Sequence, residues 1–203
     1  MENTYIEDIK EIKEMMNRSS RFISLSGLSG VSAGLSALLG AYWAYQSIYS
    51  GQDYLGYRVA ILDFETIIEL MVIVCTTLVL ALGSGFYFTS REAKKKKQKM
   101  WDNRTKRLLI NLAIPLFFGG VFCLILLSKG YLSILAPLTL IFYGLALVNA
   151  SKYTLPELRS LGILELVLGL FATYFIGYGL IYWAIGFGLL HIVYGLLMHL
   201  KYN

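Results

Sequence analysis

The chain alternates between long apolar stretches without charge and short polar ones. From Phe22 to Tyr49 there is no charged residue. About 20 residues cross the hydrocarbon core of a bilayer as a helix, so this run is long enough to span. Five further apolar runs follow. The pattern predicts spans at about 22–49, 66–90, 108–127, 131–150, 157–177 and 180–200. The expected fold class is all-α: a polytopic six-transmembrane-helix bundle over residues 22–203, with a short amphipathic helix over residues 1–21 in front. In that helix Ile6, Ile9, Ile12 and Met16 form an apolar stripe among Glu7, Asp8, Lys10, Glu11, Lys13 and Glu14. It rests on the bundle or the headgroups, or it docks a protein partner through residues 1–17.

Small residues dominate the first run. Ser29, Ala33, Ala37 and Ala41 recur every four positions, and Ser26, Gly30 and Gly34 make a second row. Such spacing lets helix backbones approach closely in lipid, where packing drives association. The run is therefore expected at the centre of the bundle. In the last two spans the chain turns at Gly177–Gly179, so residues equally far from that turn should be level. Gly169 matches Gly188, Gly162 matches Gly195, and Glu165 matches His191. Two glycine-lined faces at matched levels should pack, bringing the acid against the imidazole. The same reasoning about Gly130 puts Asn111 level with Asn149. With Ser24, Ser26 and Ser29 these asparagines are expected to form a polar cluster at the inner ends of the helices. Pro115 and Pro137 are expected to kink their spans. Thr154 and Glu157, with Pro156 in the first turn, fit the capping box that starts the fifth span.

Composition fits a membrane protein. Hydrophobic residues make up 57% and charged residues 15%, and mean hydropathy is +0.61; soluble domains are about 25% charged. Of the 18 Lys and Arg residues, only Arg58 and Lys129 fall on one side of the expected spans. The rest share the other side, which predicts cytoplasmic termini. Nine of the 18 lie in residues 91–107, a loop expected to sit on anionic headgroups. The net charge of +5 therefore does not point to nucleic acid. Tyr42, Trp43, Tyr45 and Tyr49, and Tyr174, Tyr178, Tyr182 and Trp183, fit aromatic belts at the opposite end.

Ionisable residues within spans are rare and mark function or a structural clamp. Glu69, Glu165 and His191 are the three here. Glu69 lies one turn inside its span, close enough to the outer surface to reach headgroups. No metal-ligand spacing occurs, and the sequence implies no cofactor; Cys75 and Cys123 both fall in apolar runs. The chain has no HExxH, GxSxG, P-loop or CxxC, which leans away from an enzyme. Two function classes follow. One is a non-enzymatic membrane module that binds a partner through its cytoplasmic face. The other is a small transporter or channel-like protein, expected to be a homo-oligomer, that handles a proton or small cation at a Glu165–His191 pair.

The stretch NRSSRFISLSGLSGVSAG, residues 17–34, resembles the opening of small multi-span membrane proteins of Bacteroidetes. The resemblance covers about the first quarter of the chain and brings no activity, substrate or catalytic residue. It implies a bacterial inner-membrane location.

Overall fold

A computed structural model describes residues 26–49, 63–96 and 101–202. The predicted amphipathic helix, Ser24 and the loop at 50–62 lie outside the described residues. The elements are α1 (Gly27–Tyr49), α2 (Phe64–Lys95), α3 (Asn103–Ser128), α4 (Leu135–Ala150), α5 (Glu157–Tyr174), α6 (Gly179–Trp183) and α7 (His191–Tyr202). A 3-10 turn at Ser151–Tyr153 separates α4 from α5, and a π-helical segment, Ala184–Leu190, joins α6 to α7.

Among the described residues, four helices are long and apolar enough to cross a membrane: Phe64–Lys95, Asn103–Ser128, Leu135–Tyr153 and Gly179–Tyr202. The expectation of six is corrected to four. In α1, serine and glycine replace much of the apolar bulk. In α5, Glu157, Arg159 and Glu165 fall within 18 residues.

The helices form two groups. α1 packs between α2 and α7, and α4 packs between α3 and α5. The central position expected of α1 is thus shared with α4. The groups meet where α6 and the π segment lie against α4 and α5.

The glycine rows decide these neighbours, and not in the expected pairs. A Cβ at Gly30 would lie 3.1 Å from Gly195 Cα, and one at Gly34 would lie 2.6 Å from the Gly188 carbonyl oxygen. The glycines of α7 and the π segment therefore seat α1. Those of α5 seat α4: a Cβ at Gly162 would lie 2.8 Å from the Gly144 oxygen, and one at Gly169 would lie 3.0 Å from the Pro137 oxygen. Gly162 does not meet Gly195, nor Gly169 Gly188. At each of these glycines the missing side chain lets a neighbouring backbone come close, and dispersion contacts accumulate.

Helix ends also depart from expectation in places. Pro115 lies inside α3. Pro137 sits in the first turn of α4, where a proline removes no helical hydrogen bond, so it has no cause to kink the helix. α5 begins at Glu157, and Pro156 before it makes no side-chain cap. Glu157 accepts hydrogen bonds from Lys201 Nζ (2.6 Å) and Tyr202 Oη (2.9 Å). Lys96 Nζ donates to the Tyr202 carbonyl at 3.3 Å and pairs with Glu92 at 3.1 Å. These contacts gather the end of α2, the start of α5 and the end of α7 into one basic end of the bundle.

Candidate functional site

The two helix groups meet at a polar cluster in their apolar interior. Glu165 lies in the middle of α5, about 12 Å along the axis from Glu157 at the helical rise. It is fully buried, and among the described residues neither carboxylate oxygen has a hydrogen-bond partner. Its Oε1 lies 3.5 Å from His191 Nδ1. His191 is 7% exposed and opens α7 directly after the π segment.

The imidazole is held at both nitrogens. Nδ1 lies 2.9 Å from the carbonyl oxygen of Gly186, and Nε2 lies 2.7 Å from the Tyr143 hydroxyl on α4. A carbonyl only accepts, so Nδ1 carries a proton. In the neutral ring Nε2 then accepts from the Tyr143 O–H. Phe187 stacks on the His191 ring (centroids 5.9 Å apart, 20° between planes) and packs on Tyr143 at 4.9 Å. Trp183 closes the stack 4.9 Å beyond Phe187.

The π segment makes this arrangement. π-helical turns inside α-helices are uncommon and recur at functional sites. Here the turn lies between Trp183 and His191 and carries Gly186 past Glu165. A Cβ at Gly186 would overlap Glu165 Oε2 and stand 2.5 Å from Leu140 Cδ2. Only glycine lets α5 and the π segment close over the carboxylate.

The other expected residues fall into separate places. Asn149 Nδ2 donates to the Asn111 carbonyl (3.0 Å) and to its Oδ1 (3.2 Å), joining α3 to α4. Ser29 Oγ donates to the carbonyl of buried Ser26 at 2.5 Å within the start of α1. Ser26 and Ser29 lie with α1, in the other helix group from α3 and α4, and Ser24 lies outside the described residues. Glu69 is exposed on α2. Gly30, Gly34, Gly162, Gly169, Gly188 and Gly195 line helix seams. Cys75 and Cys123 are free thiols. Among the described residues no group of His, Cys, Asp and Glu could hold a metal ion.

At the end opposite the basic one, an apolar cleft of about 510 Å³ opens between α1 and α6, lined by Tyr42, Tyr45, Tyr49, Tyr178, Leu38 and Ile181. Several of these tyrosines belong to the aromatic belt read from the sequence.

Tyr143 and Gly186 escape a reading of single spans. The one available signal was the turn before α5. Gly144 and Gly162 lie equally far from it, which puts Leu140 and Tyr143 near the level of Glu165. The π turn leaves no mark in the sequence beyond the pair Gly186 and Gly188.

A scan against protein-family models finds no match, and neither the curated proteins nor the solved structures match the chain.

Proposed function

We propose that this is a small multi-span membrane transporter or channel-like protein, and that its Glu165–His191 pair binds and releases a proton or a small cation. The observation that carries this reading is the carboxylate of Glu165. It is fully buried, and among the described residues neither oxygen receives a hydrogen bond. A structural clamp would be expected to satisfy those oxygens, because an acid left unbonded in an apolar interior is costly. A site that takes up and gives back a charge must leave them free. In this reading the basic end faces the cytoplasm, where residues 91–107 contact anionic headgroups, and the membrane is a bacterial inner membrane.

The test is ion flux in vesicles. Purified protein in liposomes, with a pH-reporting dye trapped inside, should dissipate an imposed pH gradient or carry a compensating cation current. Glu165→Gln should lower that flux about 100-fold, since a neutral amide cannot exchange the proton. The variant's unfolding midpoint should stay near that of the wild type. Equal flux from wild type and variant sinks the reading. The protein would then be better described as a non-enzymatic module that docks a partner through its basic end and residues 1–17.

A further inference from the structure

We infer that the species handled at Glu165 is a proton and that Tyr143 delivers it through the His191 ring. The inference rests on the reading of Glu165 as an exchange site and names what is exchanged and by which path.

Space around the carboxylate argues for a proton. A metal cation needs several oxygens arranged around it. Glu165 Oε2 instead lies against the Cα of Gly186, and the Leu140 side chain packs at the same spot. The carbonyl of Gly186 already accepts from His191 Nδ1. A proton needs no coordination shell and fits a site closed in this way.

The path follows from exposure and hydrogen bonds. Tyr143 is partly exposed, His191 is nearly buried and Glu165 is fully buried. From the less buried end inward, the Tyr143 hydroxyl is 2.7 Å from Nε2, and Nδ1 is 3.5 Å from Glu165 Oε1. The titratable groups facing Glu165 are His191 at the start of α7 and, across the imidazole, Tyr143 on α4; α1 carries no charged residue.

Uptake runs in one direction along this row. A hydronium ion gives a proton to the Tyr143 oxygen while the phenol O–H bond breaks and its proton bonds to Nε2. The Nδ1–H bond breaks, and that proton bonds to Glu165 Oε1. The products are water, an intact phenol, a neutral imidazole with its proton on Nε2, and a carboxylic acid. Release reverses each step. Tyr143 acts through His191, so it is a positioning and relay residue, and its removal should slow exchange without changing how much Glu165 binds.

The experiment is infrared difference spectroscopy on the full chain in lipid nanodiscs after a pH jump. The carboxylic C=O band that vanishes in Glu165→Gln reports protonation of Glu165. In Tyr143→Phe that band should reach the wild-type amplitude but form about 100-fold more slowly. High sodium or potassium should leave its amplitude unchanged. Equal rates in Tyr143→Phe and wild type overturn the relay. Loss of the band on adding either cation overturns the proton as cargo, while the exchange site itself survives. No Glu165-dependent band at any pH removes the site and the relay together. Nitrogen NMR of the wild-type ring needs no variant: at an alkaline pH where the Glu165 carboxylic band is absent, Nδ1 protonated with Nε2 bare supports the path, and Nε2 protonated there overturns it.

Discussion

A methyl group at Gly195 would stand 2.6 Å from the Val31 amide nitrogen, whereas one at Gly83 or Gly85 would meet nothing within 4 Å. The first glycine lies in the seam between α1 and α7, and the other two lie on the flanking helix α2. Capping divides the molecule in the same way. α2 is capped by Asp63, whose side chain accepts from the Thr66 N–H, and α3 by Asp102, which accepts from the Arg104 and Thr105 N–H groups. The residues directly before α4, α5 and α6, Ile134, Pro156 and Tyr178, make no side-chain cap. The flanking helices touch few neighbours and leave most of their apolar side chains exposed, so local interactions at their ends matter more. The seam helices are fixed by backbone contact with one another. The buried acid sits where two seam-bound groups meet, the region with least freedom to adjust around it.

The largest expected effect lies in the seams. Gly195→Ala and Gly144→Ala should each destabilise the protein by about 1–3 kcal/mol, because the added methyl meets backbone atoms that have no rotamer to change. Unfolding by SDS in mixed micelles measures this. A cost near zero at both positions would show that the seams can open, and the contrast with α2 would fail.

Next comes the cap of α3. Asp102→Ala should cost about 1 kcal/mol. The backbone N–H of Thr105, against a smaller opposing effect of burial, holds the Asp102 carboxyl below the usual carboxylate range. Its contribution is therefore complete above the ordinary aspartate value and is lost as the pH falls through the lower folded value. The stability difference between wild type and Asp102→Ala, followed from pH 7 downward, should shrink in that acidic window. A difference that holds constant with pH would mean that the cap acts through something other than its charge.

The smallest effect is expected on α2. Gly83→Ala and Gly85→Ala should be neutral or stabilising by up to about 1 kcal/mol, from helix propensity alone. A loss at either position comparable with that at Gly195 would place a packed neighbour on α2 and erase the difference between the two regions.

Much of this was legible in the sequence. Apolar runs longer than a bilayer core mark the helices, and small-residue spacing marks α1 as a packing helix. Counting from the turns put Asn111 with Asn149 and Glu165 with His191; Asn149 Nδ2 lies 3.2 Å from Asn111 Oδ1, and His191 Nδ1 lies 3.5 Å from Glu165 Oε1. The same counting failed for the glycines. Level is a property of one hairpin, but partner choice is a competition among all helices. Gly162 and Gly195 each found a closer fit elsewhere, on α4 and on α1. Tyr143 was invisible for the same reason, since it meets His191 across helices that are not consecutive, and the Gly186 carbonyl was invisible because only the π turn aims it at His191.

By itself, then, the sequence determined that the chain is helical, where its apolar runs lie and which ionisable residues they contain, because helical rise and side-chain hydrophobicity are local properties. It could not tell four strongly apolar helices from six similar runs, since serine, glycine and three charges dilute α1 and α5 without breaking their pattern. Only the tertiary structure decided which glycine meets which backbone, and where the π turn sets Gly186 and His191 against Glu165. Those choices depend on shape matching between surfaces far apart in the chain, and no local pattern encodes that matching.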